Sequence, residues 1–557
     1  MKNFHYRDFM HVSDLKDLLS KAASNYRGRD AFRWKTQDGI QDKTYEQLEV
    51  DVNALGTALL CEGFAGKKIA LVGETSYEWV VSYFAITCGV GVVVPIDKEL
   101  PDNEIANIVA ESGASALIFS STFEAAVQKN KAAGVRYIPM YPCDADWTCP
   151  GVPELLRLGA SRIADGDSSF LNAQINPDAM TSLIYTSGTT GKAKGIMLTH
   201  RGITAASSGG LSLLDLGKVA LSVLPIHHSF ECTHGIIMFL QAGLTICIND
   251  SIRFFMQNLQ LFKPDTICLV PLYLENMYKK IWEAAAAKGQ AEQLRAAIAK
   301  SNELLAQGID KRDEFFADIQ AAFGGKLKVA ISGGAPLRPE IMRAFREFGI
   351  LVLNGYGTSE CSPLVSVNSN DYFRDGSVGI PIACMEIKVE DLDENGDGEV
   401  WVKGPNVMLG YYNNEQATRE IMKDGWLDTG DVGHLEDDFL FLTGRSKNII
   451  VLSNGKNVYP EEIEGYLAAI PLIREVVVYA KRSAEGGETE LAAEVYPNYD
   501  LVPGASEAEL LALLQKEFNQ ANRQLPLFKQ VRYISVRSTE FDKTTKRSIK
   551  RMNVGVH

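Results

Sequence analysis

Short β-branched runs alternate with longer helical stretches along most of this chain. "KKIALVG" (67–73) reads as a strand, "YEWVVSYFAITC" (77–88) as a helix and "GVVVPI" (91–96) as the next strand. "SALIFS" (115–120) and "VRYIPM" (135–140) continue the rhythm, which predicts α/β layers. A second set of strands is expected at "TICLVP" (266–271), "LKVAIS" (327–332) and "ILVLNGYG" (350–357). Between them, residues 273–323 are rich in Ala, Lys and Glu and lack proline, so two or three helices are expected. From about residue 385 the texture changes to strands and tight turns, as in "EIKVEDLDENGDGEVWVKG". After residue 446 a smaller segment shows its own strand–helix alternation.

At 557 residues the chain exceeds one ordinary core, and about two to four domains are expected. Hydrophobic residues make up 46% and charged residues 23%, a globular balance. The net charge of -14 argues against general nucleic-acid binding. Nine cysteines are scattered without a CxxC pair, which suits buried thiols in a reducing compartment. The start, "MKNFHYRDFMHVSDLKDLL", lacks the apolar core of a secretory signal. The longest apolar stretch (80–96) contains Ser82, Thr87, Gly89, Gly91 and Pro95, and is shorter than the roughly 20 residues that span a bilayer. A cytoplasmic protein with at most peripheral membrane association is expected.

"LIYTSGTTGKAKG" (183–195) carries the first chemistry. An apolar strand end runs into Thr186, Ser187, Gly188, Thr189, Thr190, Gly191, Lys192, Ala193, Lys194 and Gly195. Glycines let backbone N–H groups turn inward, hydroxyls add donors and lysines add charge, which suits a polyphosphate. Gly188 and Gly191 are too close for a Walker A loop, and Ala193 follows Lys192 where that motif needs Ser or Thr. A P-loop phosphotransferase is thereby disfavoured. Taken alone, the loop reads equally as a polar surface turn.

It does not stand alone. "SGGAPL" (332–337), "NGYGTSEC" (354–361), "DGWLDTGD" (424–431) and "GRSKNIIVLSNGKNVYPEEIE" (444–464) follow in that order. With them the chain resembles the acyl-adenylate-forming (AMP-binding) superfamily, and within it the long-chain fatty acyl-CoA synthetases. The resemblance runs from "KTYEQLEVDVNALGTAL" (43–59) to the closing basic stretch. It implies an α/β fold: a large N-terminal domain (1–445) of two doubly wound α/β subdomains plus a small β-barrel-like subdomain (about 385–445). A smaller, mobile α+β domain (446–557) follows.

The resemblance also implies roles. Thr186 through Gly191, with Lys194, would hold the β- and γ-phosphates of ATP. Gly334 and Ala335 would flank the adenine, with Tyr356 stacked on its face; Asn354 and Gly357 belong to the same nucleotide motif. A flat aromatic suits a purine π-face. Ser359 would bond the α-phosphate, and Glu360 would ligate Mg²⁺, a hard cation that takes oxygen ligands. Asp431 would accept both ribose hydroxyls, Arg445 would support ribose or phosphate, and Lys447 would be the hinge between the domains. In "LPIHHSFECTH" (224–234), His227, His228, Cys232 and His234 lack an HExxH or paired CxxC pattern, so zinc is not expected. His228 would lie between the carboxylate pocket and the thiol tunnel; a core histidine is the other reading. "DLDENGDGE" (391–399) mimics a calcium loop, but Val402 stands where a bidentate Glu is needed, so a turn is expected.

The implied reaction forms an acyl-adenylate from a carboxylic acid and MgATP, then a thioester with CoA. The helical insert after "VPLYLENMYKKI" (270–281) resembles that of the long-chain fatty acyl-CoA synthetase branch, which implies a medium- or long-chain fatty acid, with an aryl acid still open. An acyl carrier protein, acting in trans, is the alternative acceptor. The closing stretch "EFDKTTKRSIKR" (540–551) departs from the family at its main position. There, Ser548 occupies the place of the lysine that reaches the active site during adenylation. Losing that cation would cost on the order of 10²–10³ in rate. Lys546 and Lys550 lie two residues to either side, a displacement of about 6–7 Å in an extended segment. Either is a candidate substitute, with Lys546 ahead; a degenerate adenylate-binding protein is the alternative.

Overall fold

A strand buried on both faces needs an apolar side chain at nearly every position, so it appears in sequence as an unbroken run. Four such runs here, Ala116–Phe119, Thr266–Leu269, Val329–Ser332 and Leu364–Val367, are buried at each residue. The structure, a computed structural model, describes residues 6–142, 147, 149–186, 193–452, 456–482, 489–543, 549–551 and 554. Two compact units result. The first comprises Met1–Glu386, Lys403–Leu427 and Asp437–Phe439; the second comprises Ile387–Val402, Asp428–Glu436 and Leu440–His557.

The first unit is α/β, with two large sheets. A seven-stranded sheet has the order Gly410–Tyr411, Lys194–Thr199, Met180–Thr186, Gly91–Pro95, Lys67–Val72, Ala116–Phe119, Arg136–Pro139. Its last four strands are parallel, while Met180–Thr186 and Lys194–Thr199 form an antiparallel hairpin. A nine-stranded sheet is parallel at its centre, where Leu351–Gly357, Val329–Ser332, Thr266–Leu269, Val219–Ser222, Thr245–Ile248 and Asp30–Thr36 lie side by side. Antiparallel strands close both of its edges. Parallel strands align their carboxyl ends, where ligand-binding loops of α/β sheets gather. The expected strands are all present, trimmed by a residue or two.

The helical expectations needed two adjustments. The helix starting at Tyr77 ends at Ala85 and opens into a wide turn over Ile86–Val90. Residues 273–323 hold two long helices, Pro271–Ala287 and Ala291–Ala306, and two short ones, Arg312–Phe315 and Ala317–Ala322. Gly289 and Gly308 take left-handed backbone conformations that end the two long helices.

In the second unit, Ile473–Arg482 pairs antiparallel with Thr489–Pro497, which pairs parallel with Val531–Val536. The helices Pro460–Leu467 and Glu507–Asn522 accompany these strands, the latter opened by a Ser506/Glu509 capping box. Val458, Ile463, Leu467, Val478, Val495, Leu514 and Phe518 form the core. The stretch from 391 to 397 is the expected turn between strands: the Asp393 carboxylate accepts the backbone N–H groups of Asn395 and Asp397.

Candidate active site

The hairpin of the first unit sets Thr186 opposite Lys194 and Tyr185 opposite Gly195. Residues 187–192, and with them Ser187, Gly188, Thr189, Thr190 and Gly191, lie outside the described residues. On the outer side of the hairpin, Gly410 pairs with Met197 and Tyr411 with Ile196. Lys194 Nζ then sits 4.8 Å from the centroid of the Tyr411 ring, a cation–π contact.

Tyr411 is brought to Glu360 by a buried clamp. Asn406 donates from Nδ2 to the carbonyls of Cys361 (2.9 Å) and Leu364 (2.7 Å), and Ser362 Oγ donates to the Asn406 carbonyl at 2.8 Å. The Met408 N–H donates to the Glu360 carbonyl at 2.7 Å. Tyr411 O–H donates to Glu360 Oε1 at 2.9 Å, and Thr358 Oγ1 donates to Oε2. Burial, with the negative charge of Glu360 beside it, pushes the Tyr411 phenol well above its ordinary value, so it stays a donor. Each carboxylate oxygen accepts one hydroxyl and keeps lone-pair capacity.

Neighbouring strand ends place the expected nucleotide residues. The register Ser332 opposite Asn354 means that Gly334 and Tyr356 emerge two residues beyond one cross-strand pair. Gly334 has a left-handed backbone, φ +83°, and lies with Ala335 on an exposed turn. Tyr356 is buried. Gly357 has no room for a side chain, because a Cβ would lie 2.0 Å from the Pro363 carbonyl oxygen. Asn354 is buried; its Nδ2 donates to the Ser377 carbonyl at 3.2 Å, while Oδ1 finds no hydrogen-bond partner among the described residues. Ser359 Oγ is 3.2 Å from Ser229 Oγ, which ties the loop of Glu360 to the histidine loop.

The structure divides the four-residue His/Cys group of "LPIHHSFECTH". His227 and His228 sit ring to ring, centroids 4.2 Å apart, and His227 Nε2 lies 3.1 Å from Asp97 Oδ1. Burial alone would push the Asp97 carboxyl up, but the contact and charge of His227 hold it well below its ordinary value. Cys232 and His234 lie in a buried wide turn over Glu231–Ile237. There burial lowers the His234 imidazole to about 4, raises the Cys232 thiol to about 12 and raises the Glu231 carboxyl to about 8. Sequence reasoning missed Asp97, Glu231 and Tyr411. Asp97 did carry a signal, as a polar residue just past the end of a buried parallel strand. Tyr411 carried none, being remote in sequence from Glu360.

In the second unit, Arg445 Nε pairs with Asp431 Oδ1 at 2.9 Å, with Asp431 5% exposed. Lys447, exposed, follows in the turn Ser446–Asn448, where Ser446 Oγ donates to the Gly430 carbonyl at 3.2 Å. The closing basic stretch is paired across its base: Lys543 bridges Ile549, and the Lys550 N–H donates to the Asp542 carbonyl at 2.7 Å. Lys543 is ion-paired with Glu475 and Glu540, and Arg551 with Glu464 and Glu461. Lys546 and Ser548 lie outside the described residues. Among the described residues no helix is long and apolar enough to cross a membrane.

Comparison with known proteins gives one family. Residues 19–412 match the model "AMP-binding enzyme", and residues 447–556 match "AMP-binding enzyme C-terminal domain". The long-chain-fatty-acid–CoA ligase FadD15 of Mycobacterium bovis is 30% identical over 475 residues, 79% of this chain and 76% of that protein. Long-chain-fatty-acid–CoA ligase 5 of Mus musculus is 29% identical over 492 residues, 83% of this chain and 71% of that protein. Among solved structures, the anthranilate CoA ligase AuaEII in complex with anthranoyl-AMP superposes with a TM-score of 0.75 at 20% identity, covering 99% of this chain and 97% of its own. The o-succinylbenzoate CoA synthetase of Bacillus subtilis, with ATP and magnesium, gives 0.71 at 22% identity, covering 96% and 98%. These two likenesses are of fold.

Proposed function

The chain belongs to the AMP-binding enzyme family, and from that premise we propose that it is an AMP-forming acid–CoA ligase acting on a medium- or long-chain fatty acid. A carboxylate oxygen attacks the α-phosphorus of ATP, the bond to pyrophosphate breaks, and an acyl-adenylate forms. A thiolate then attacks the acyl carbon and AMP leaves. Adenylation solves a leaving-group problem, since AMP departs far more readily than an oxide from a free carboxylate. The long-chain relatives support the acid class, as does the helical insert Pro271–Ala306. CoA is the proposed acceptor and the cytoplasm the proposed compartment.

The observation that carries this reading is the seat of Glu360, an anionic carboxylate held by the neutral hydroxyls of Tyr411 and Thr358 with lone pairs to offer. That donor set fits Mg²⁺, which takes oxygen ligands. When bound, the ion supplies charge compensation at phosphate oxygens. Tyr411 and Thr358 fix the direction of the carboxylate, and Lys194 is held over the Tyr411 ring at the hairpin edge. The roles assigned to Thr186–Gly191, Gly334, Ala335, Tyr356, Ser359, Asp431, Arg445 and Lys447 are part of the proposal. Asn354 adds a buried Oδ1 acceptor, without a hydrogen-bond partner among the described residues, beside the strand end that carries Tyr356. His228 is proposed to stand between the acid and thiol paths.

For the cation missing at Ser548, Lys546 is the better substitute. Lys550 follows the paired Ile549 and its backbone N–H is bonded to the Asp542 carbonyl, so its backbone is already fixed. Lys546 lies midway in sequence between the paired Lys543 and Ile549. The test is pyrophosphate release with ATP, Mg²⁺ and a panel of fatty acids of graded length alongside aryl acids. Thioester formation is then scored with CoA and with a phosphopantetheinylated carrier protein. Release peaking at medium or long chains, and transfer to CoA, is the expected result; no release with any acid removes the ligase reading.

A further inference from the structure

Three strand-end loops of the first unit meet at the histidine pair. Asp97 follows the parallel strand Gly91–Pro95 of the seven-stranded sheet. His227 and His228 follow Val219–Ser222 of the nine-stranded sheet, and Ser359 follows Leu351–Gly357 of the same sheet. Asp97 Oδ1 accepts the Glu99 backbone N–H at 2.9 Å, which fixes the aim of the carboxylate. The same oxygen lies 3.1 Å from His227 Nε2, and the two side chains are only 11% and 4% exposed. The His227 ring leans on the His228 ring at 50°. One residue on, Ser229 reaches Ser359, next to Glu360.

We propose that Asp97 is a positioning residue, which through His227 sets the orientation of His228 and thereby the acceptor step. The inference rests on the ligase reading above. An imidazole at a loop end can turn about two side-chain torsions. A buried carboxylate against its neighbour removes much of that freedom before the acceptor arrives, which is what preorganisation requires. The charge is also placed where it lasts, because burial opposes ionisation of Asp97 but the histidines outweigh it. The pair has a further consequence for the fold, since it joins a loop of one sheet to a loop of the other.

Another use of the same groups makes a definite alternative outcome. Ligand atoms of Asp97, His227 and His228 lie within 4.8 Å of one another, and two histidines with a carboxylate can ligate a divalent ion. Asp97 Oδ1 approaches His227 Nε2 directly, at 3.1 Å, which is the arrangement that the positioning role uses.

The test is a double-mutant cycle in the full chain, using Asp97→Asn, His228→Ala and the double variant, with Asp97→Glu as the conservative control. The acid giving most pyrophosphate with the wild type is supplied as its preformed adenylate, and thioester formation with CoA is followed in single turnover. Asp97→Asn is expected to slow that step about tenfold, as losing an orienting partner commonly does, and Asp97→Glu to recover part of it. In the His228→Ala background, Asp97→Asn should add less than about twofold. Pyrophosphate release should fall less than thioester formation. Additive effects, a wild-type rate for Asp97→Asn, or one equivalent of zinc that Asp97→Asn loses would each overturn the proposal. Should Asp97→Asn not fold, the same cycle with His227→Asn decides. A wild type that releases no pyrophosphate fails the ligase reading itself and takes this inference with it; failure of the cycle alone leaves that reading intact.

Discussion

Glu360 in the first unit and Arg551 in the second are both partly buried charges beside loops, yet they are held in opposite ways. Neutral hydroxyls of Tyr411 and Thr358 hold Glu360, so its full negative charge remains to be answered by a ligand. Carboxylates of Glu464 and Glu461 hold Arg551, and those of Glu475 and Glu540 hold Lys543, so these cations are already answered. Glu360 is thus oriented without being neutralised, whereas Lys543 and Arg551 are tied into ion pairs. On that distinction Lys543 and Arg551 are already answered, and the cation proposed for adenylation is Lys546, which lies between them in sequence.

The sharpest way to break this contrast is at the two candidate lysines. Lys546→Ala should lower the adenylation half-reaction about 100-fold, as loss of a donor aimed at developing charge does. Lys550→Ala should stay within a few-fold of wild type. If the two results were exchanged, the base of the loop would be catalytic and the contrast would fail.

Next in size is Arg551→Met, which strands two carboxylates. A loss of about 2 kcal/mol is expected, between the values for exposed and buried pairs. Thermal unfolding of the full chain should show it, and adding Glu464→Gln should restore part of the loss. No loss would mean that the ion pair is not structural.

Tyr411→Phe removes one hydroxyl from Glu360 and should cost about tenfold in adenylation, or roughly 1.4 kcal/mol. The loss should shrink as the Mg²⁺ concentration rises. An unchanged rate would show that Thr358 alone suffices.

A last case concerns Glu231, a carboxyl with Ser222 as donor but no charge partner among the described residues. Burial raises it from 4.5 to about 8. The folded state therefore holds this proton more tightly than the unfolded chain, and the contribution is fully present below about pH 4.5 and lost as pH rises through about 8. Across that window the thermal stability of the wild type should decline relative to Glu231→Gln. Parallel curves would show that Glu231 is not protonated in the folded state.

Much of the fold was legible in the sequence, because strands such as Thr266–Leu269 and Val329–Ser332 are buried on both faces and must be written as continuous apolar runs. The wide turns at Ile86–Val90 and Glu231–Ile237 were not, since their side chains are as apolar as those of the adjoining helices. In the site, motifs close in sequence revealed the loops, including "NGYGTSEC" with Glu360. The partners that hold those loops escaped, since Tyr411 and Asp97 reach Glu360 and His227 only through sheet pairing and strand-end geometry. Local spacing carries no record of such contacts.

The central claim, that a fatty acid is activated at the site of Glu360, is tested most directly by Mg²⁺-dependent pyrophosphate release in wild type and Glu360→Gln. Wild type should release pyrophosphate only when ATP and a fatty acid are both present, and Glu360→Gln should be slower by about 10²–10³ with unchanged thermal unfolding. Acid-independent release, or a folded Glu360→Gln protein at the wild-type rate, would contradict it.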